Sequence, residues 1–110
     1  RGIPAFHYMV AAAGGDQILC APYATFGTEE LSQAMIAALG PRRACLLANH
    51  GQIVYGPTLK KAVALAVEVE ALAQQYLITL QAGTPAVLDK VEMARVIEKF
   101  KSYGKQKGAG

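Results

Sequence analysis

Several features that often identify a function are missing from this sequence. It has no tryptophan, two cysteines and two histidines among 110 residues. Cys20 and Cys45 show neither CxxC spacing nor the cysteine density of a secreted disulfide scaffold, so we interpret them as small buried hydrophobes in a reducing compartment. There is no signal peptide and no apolar run of the ~18 residues that a membrane span needs. We therefore expect a cytoplasmic protein with no membrane partner.

The sequence also lacks complete catalytic motifs. It has no HxH, no HExxH and no Cys/His cluster, so it does not contain a full set of metal ligands by itself. Gly14-Gly15 lacks the further glycines and the lysine of a phosphate-binding loop, and Ser32 and Ser102 lie outside any nucleophile-elbow motif. These absences argue against a nucleotide-binding enzyme or a serine hydrolase.

Basic residues are concentrated at one end of the chain. Five lie within the last sixteen positions: Arg95, Lys99, Lys101, Lys105 and Lys107. Such a tail can attract nucleic acid or acidic lipid, but no base-stacking aromatics are interleaved with it. A solvated helix face followed by a frayed end explains the pattern, and we expect no nucleic-acid partner.

Hydrophobic residues make up 53% of the sequence and charged residues 17%, which is enough apolar material for one compact domain. Helices are predicted from Ile3 to Ala13, after Thr28, from about Thr58 to Ala82 and from Asp89 to about Tyr103. Thr28 and Thr58 are predicted to cap two of them, and Asp89 with Glu92 resembles a capping box at the start of the last. The longest carries one apolar stripe that we expect to be buried; it consists of Leu59, Ala62, Val63, Ala66, Val69, Ala73, Tyr76, Leu77 and Leu80.

Short strands are predicted between these helices. Residues 17–21 lie between a glycine turn and a proline, and residues 52–55 lie between two glycines. Residues 44–48 form a continuous apolar run that Asn49-His50-Gly51 interrupts. Strands that alternate with helices indicate an α/β fold. The small number of strands, and a chain that begins at Arg1 without an initiator methionine, lead us to expect part of a longer protein.

The two histidines are the main candidates for chemistry. His50 lies between Asn49 and Gly51, where two predicted strands meet, and imidazole is the commonest metal ligand in proteins. Taken alone, a histidine in such a turn is more typical of a structural role. His7 lies in an apolar segment, where we expect a hydrogen-bonded core residue; a site formed by both histidines and a carboxylate has no support from spacing.

Five segments, in order, resemble one known family. They are Ile3–Gly15 (IPAFHYMVAAAGG), Cys20–Thr28 (CAPYATFGT), Leu46–Gly51 (LLANHG), Lys61–Tyr76 and Phe100–Gly104 (FKSYG). Together they are similar to the C-terminal half of the class II aldolase/adducin family, in its L-fuculose-phosphate aldolase branch. The resemblance covers nearly the whole of residues 1–110, which we expect to form the C-terminal part of a single domain.

The resemblance implies a central sheet layered with helices, assembled as a homotetramer. It also implies a Zn²⁺ ion held by an HxH pair, which lies before this region in the family, and by a third histidine that matches His50. Tyr8 and Tyr103 match tyrosines that act in the active site of a neighbouring subunit, and Phe26 matches a residue that lines the aldehyde pocket. The implied reaction is the retro-aldol cleavage of a ketose 1-phosphate to glycerone phosphate and an aldehyde.

Other functions are open within the same fold. Relatives of this family include a sugar-phosphate epimerase and a dehydratase that use the same zinc site, and the adducin branch is a non-catalytic interaction module. His50 argues against the adducin alternative, since that branch needs no metal ligand. Without the upstream ligands, this region can also be inert when isolated.

Overall fold

The computed structural model of the chain describes the backbone of residues 1–109 and the side chains of residues 1–102. It contains a 3₁₀ helix, three helices and three short strands. Their bounds are 3₁₀ helix Tyr8–Ala13, β1 Cys20–Ala21, α1 Glu29–Leu39, β2 Ala44–Leu47, β3 Gly51–Val54, α2 Leu59–Ala82 and α3 Lys90–Ala109. This α/β arrangement confirms the predicted fold class.

The helices begin at the capping residues that the sequence predicts. Thr28 Oγ1 accepts a hydrogen bond from the Leu31 N–H (3.3 Å), and Thr58 Oγ1 accepts one from the Lys61 N–H (3.1 Å). Asp89 Oδ1 accepts one from the Glu92 N–H (2.8 Å) at the start of α3. Each side chain satisfies one backbone donor that has no partner within its helix.

The sheet has the order β1-β2-β3, with β1 parallel to β2 and β2 antiparallel to β3. Successive residues of each strand point to opposite faces. Cys45, Leu47 and Ile53 pack with α1 on one face, whereas Ala44 and Leu46 pack with α2, α3 and the 3₁₀ helix on the other. The chain thus forms three layers, with the sheet in the middle.

The predicted helix from Ile3 to Ala13 is wrong in its first half. Ile3 forms an isolated antiparallel bridge with Ile18, and each residue donates its N–H to the other's carbonyl at 2.8 and 2.9 Å. Only Tyr8–Ala13 is helical, and it begins where His7 caps it. A pairing between residues fifteen positions apart overrides the local apolar pattern.

The buried stripe predicted on α2 is only partly correct. Val69, Leu72 and Tyr76 are buried, but Leu59, Val63 and Leu77 are more than half exposed. In the part of the chain that the structure describes, α2 is also long and apolar enough, by length and composition alone, to cross a membrane, with a mean hydropathy of 1.3. Core helices of soluble proteins pass the same test, so the absence of a membrane partner stays a prediction.

Candidate active site

The turn between β2 and β3 holds His50. Its N–H donates to the Leu47 carbonyl (3.1 Å), and Asn49 adopts a left-handed conformation with φ of 59°. Asparagine tolerates this region better than most residues, which explains its place in so tight a turn. His50 is exposed, and the space around Gly51 is open, with no atom within 4 Å of where a Cβ would lie. The imidazole is therefore free to bind a group outside this chain's own core.

The loop that carries Phe26 leaves the sheet beside this turn. β1 and β2 are parallel, so their carboxyl ends lie at the same edge, and the Ala48 N–H donates to the Ala21 carbonyl (3.1 Å). Phe26, which follows β1, is 79% exposed. An aromatic ring of this size contributes nothing to the core here, so it is available to contact a ligand or another polypeptide.

A cavity of about 390 Å³ lies next to the turn, between β2, β3 and α2. Its polar lining includes Arg1, Cys20, Asn49, Gln52 and Glu70. Gln52 and Glu70 belong to no sequence motif that predicts a site. The contact between β3 and α2 that brings them together is long-range, and no motif in the sequence signals it.

Tyr8 lies in a second group of residues, on the 3₁₀ helix. It is 51% exposed, stacks on the His7 ring at a centroid distance of 5.0 Å and meets the edge of Phe100 at 6.3 Å. Tyr103 lies three positions after Phe100 on α3, about one helical turn further on; its side chain lies outside the described residues. His50 and the Phe26 loop form the other group of candidate residues, at the turn between β2 and β3.

His7 has a structural role. Its Nδ1 accepts a hydrogen bond from the Met9 N–H (3.1 Å) and caps the 3₁₀ helix, as expected for a hydrogen-bonded histidine in an apolar segment. An accepting Nδ1 implies a neutral ring with the proton on Nε2. Among residues 1–102, no three His, Cys, Asp or Glu side chains are grouped so as to hold a metal ion. His50 can thus supply one ligand of a larger set.

Both cysteines are free thiols. Burial raises the pKa of the Cys45 thiol, with a smaller increase from nearby Cys20 and an opposing effect of Arg42. Cys45 is completely buried, which agrees with its interpretation as a small hydrophobe, whereas Cys20 is partly exposed. A protonated, inaccessible thiol is unsuited to be a nucleophile or a metal ligand.

Comparisons with known proteins agree with this geometry. Residues 1–77 match the family model described as Class II Aldolase and Adducin N-terminal domain. The chain is 61% identical over 104 residues to the 5-methylthioribulose-1-phosphate/5-deoxyribulose-1-phosphate aldolase of Rhodospirillum rubrum, covering 94% of this chain and 47% of that protein. It is 58% identical over 105 residues to the L-fuculose phosphate aldolase of Escherichia coli K12, covering 94% of this chain and 49% of that protein.

A solved structure of an L-fuculose 1-phosphate aldolase matches the chain with a TM-score of 0.88 at 42% sequence identity. The match covers 92% of this chain and 47% of that structure. The chain therefore spans about half the length of the curated relatives and of the solved structure that it matches.

Proposed function

Because this chain belongs to the class II aldolase and adducin family, we propose that it forms the C-terminal half of a zinc-dependent aldolase. The reaction would be retro-aldol cleavage of a ketose 1-phosphate to glycerone phosphate and an aldehyde. The observation that carries this proposal is the exposed His50 in the tight turn between β2 and β3, in a chain 61% and 58% identical to two named aldolases.

His50 would bind the zinc ion through one imidazole nitrogen. An exposed imidazole beside a glycine without neighbouring atoms fits this role, and the remaining ligands would come from outside the described residues. When bound, zinc supplies a Lewis acid that polarises the carbonyl oxygen of the substrate. The left-handed conformation of Asn49 permits the tight turn in which His50 is exposed.

Tyr8 and Tyr103 would transfer a proton in the site of a neighbouring copy, and the protein would be a homotetramer. The exposure of Tyr8, which packs at its edge against Phe100 of α3, supports action on another subunit. A phenol held at a reacting atom can donate a proton to the substrate or accept one from it. Phe26 would provide an apolar wall for the aldehyde portion of the substrate.

The substrate would be a ketose 1-phosphate with an apolar end. The names of both matched relatives specify a ketose phosphate, and one specifies a 5-deoxy or 5-methylthio carbon, at the opposite end from the 1-phosphate. A deoxy or methylthio group offers little for hydrogen bonding, and an exposed phenylalanine is a suitable surface for it.

A chimera tests this function. In it, the chain replaces the matching half of the Rhodospirillum rubrum aldolase. Cleavage of 5-deoxyribulose 1-phosphate and of L-fuculose 1-phosphate is measured as the release of glycerone phosphate. We expect cleavage that is lost in His50→Ala. Tyr8→Phe should lower kcat by about 10²-fold or more, the usual contribution of a positioned proton donor.

Tyr55→Phe is the matched control. Tyr55 is also 51% exposed, but it follows β3 at the end of the hairpin remote from His50. It should leave kcat unchanged. Conversion of the sugar phosphate without release of glycerone phosphate would indicate an epimerase or dehydratase instead, and equal losses in both tyrosine variants would remove the role of Tyr8.

A further inference from the structure

Three basic side chains line one cavity of about 490 Å³ between the 3₁₀ helix, α2 and α3. They are Arg43, Lys61 and Lys101. The rest of the lining is apolar and includes Ile97 and Phe100, and no acidic side chain of the described residues takes part in it. The cavity therefore combines positive charge with an apolar wall, which suits an anion that carries an organic portion.

A second cavity, of about 550 Å³, shares Arg43 and Lys61 with the first. Apolar residues of the 3₁₀ helix and α2 form most of its lining. Glu68 also lines it and is the one acidic residue in either lining among the described residues. We call the two cavities together the basic groove. Neither His50 nor Phe26 lines this groove, so it does not coincide with the turn between β2 and β3.

The positive charge of the basic groove is not neutralised within the chain. All eight acidic side chains lie within residues 1–102, where the structure describes side chains. One groove residue, Lys101, forms an ion pair there, with its amine 3.6 Å from Glu98 Oε2. Neither Arg43 nor Lys61 has a carboxylate partner in that part of the chain. Like charges held close together repel one another, so a bound anion would stabilise this arrangement.

Arg43 is held in place by the end of the 3₁₀ helix. Its backbone N–H donates to the Ala13 carbonyl (2.6 Å), and its Nη2 donates to the Ala12 carbonyl (2.8 Å). The guanidinium keeps further N–H groups for a ligand, and a side chain that is already fixed loses little freedom on binding. Lys61 bonds Thr58 Oγ1 through its backbone N–H, and its ammonium group has no hydrogen-bond partner in the described part of the chain.

We propose that the basic groove binds a phosphate monoester. Its phosphoryl group would lie among Arg43, Lys61 and Lys101, and its organic portion would lie against Ile97 and Phe100. A phosphoryl dianion carries more charge than a carboxylate and offers more acceptor oxygens, and the fork of an arginine can bind two of those oxygens together. The volume of about 490 Å³ is within the usual range of small-molecule sites, so there is room for more than a phosphate ion.

Such a ligand would join three elements of the fold. Arg43 directly precedes β2, Lys61 lies in the first turn of α2, and Lys101 belongs to α3. Phe100, beside Lys101, meets the Tyr8 ring at a centroid distance of 6.3 Å. A bound phosphate monoester would therefore restrain the part of α3 that contacts Tyr8. The proposal does not depend on the proposed function, because binding in the groove requires neither zinc nor cleavage.

The test is an NMR titration of the isotope-labelled chain with phenyl phosphate and, separately, with inorganic phosphate. Salt is kept low and the ionic strength constant, since salt screens exposed charges. We expect saturating shifts of the Gly14, Arg43 and Lys61 amides, with a dissociation constant for phenyl phosphate of about 1 mM or below. Inorganic phosphate should bind more weakly, because it has no organic portion. Lys61→Gln should weaken both about tenfold, the usual contribution of a hydrogen bond to a charged group.

Lys60→Gln is the matched control. Lys60 is the neighbouring residue and is also exposed, but it lines neither cavity. The variant removes the same charge from the same helix, so it should leave the affinity unchanged if the contact in the groove is what binds. Shifts that rise without saturation would overturn the proposal, as would equal weakening in the two lysine variants.

Other occupants of the basic groove give distinct results. Equal affinity for phenyl phosphate and inorganic phosphate would identify a site for the free ion. Binding to vesicles that contain phosphatidic acid, without binding to phenyl phosphate, would identify a membrane surface. Either result overturns the proposal.

The chimera provides the second test. The difference in phenyl phosphate affinity between Lys61→Gln and Lys60→Gln should persist in it; if the difference disappears, another segment of the domain fills the groove and the proposal is wrong. A higher KM for the ketose phosphate in Lys61→Gln alone would make the groove part of the substrate site, which also overturns the proposal. Absence of zinc or of cleavage would contradict the proposed function only.

Discussion

Two leucines on α2 allow a direct test of which face of that helix forms the core. Leu72 is 1% exposed and belongs to the cluster that includes Val10 and Met93, whereas Leu77, five residues later, is 58% exposed. Leu→Ala at either position removes the same atoms and changes helix propensity equally. The difference between the two variants therefore reports tertiary packing.

The expected magnitudes differ several-fold. Leu72→Ala should cost about 2–5 kcal/mol, the range for a buried leucine replaced by alanine, because the surrounding side chains close the cavity only in part. Leu77→Ala should cost less than about 1 kcal/mol, because most of that side chain is already in water. For a domain of this size, the Leu72 variant should melt about 10 °C or more below the parent chain.

Chemical denaturation of the isolated chain, followed by circular dichroism, provides the free energies of unfolding. The slope with denaturant should be unchanged in both variants if they perturb only the folded state. Equal losses at the two positions would show that Leu77 is buried in solution. That result would support the single buried stripe predicted from the sequence. It would refute the division of α2 into a buried face with Leu72 and an exposed face with Leu77.

Three further predictions concern stability. Burial raises the pKa of Cys45, so the contribution of this thiol to the free energy of unfolding is fully present below its ordinary value of 9.0 and is lost as pH rises through the higher folded value. The cost of Cys45→Ala, measured by urea denaturation, should therefore shrink above about pH 9. A cost that grew above this pH would contradict the prediction. Thr58→Ala should cost about 1 kcal/mol through loss of the α2 cap, whereas Thr84→Ala, in the exposed loop after α2, should cost much less by the same measurement. Asn49→Ala should cost about 1–2 kcal/mol because alanine is strained at a φ of 59°, while Asn49→Gly should be tolerated; equal thermal melts for the two variants would argue against the left-handed turn.

Features that depend on neighbouring residues were predictable from the sequence. Thr28 and Thr58 cap the helices as predicted, because a capping side chain bonds a backbone group only three residues away. The pair of strands around Asn49 and His50 also follows from local signals, a tight turn between two apolar runs. The resemblance of five ordered segments led to the correct family, which composition and periodicity did not reveal.

Features that depend on distant contacts were not predictable. Ile3 pairs with Ile18 rather than entering a helix, and nothing near Ile3 in the sequence signals that partner. The periodicity of α2 could not show which of its apolar residues are covered, because Val63 and Val69 are equally apolar and only the fold distinguishes them. The contact of Tyr8 with Phe100 of α3 likewise joins residues that are far apart in the sequence. The roles of Tyr8, Phe26 and Tyr103 stay predictions.

The zinc content of the chimera tests the central claim most directly. It is measured after metal-free purification and zinc loading, for the parent, His50→Ala and His7→Ala. We predict about one zinc per chain in the parent and in His7→Ala, since His7 caps the 3₁₀ helix, and a loss of most zinc in His50→Ala. Full zinc content in His50→Ala, or a loss confined to His7→Ala, would contradict the assignment of His50 as a metal ligand.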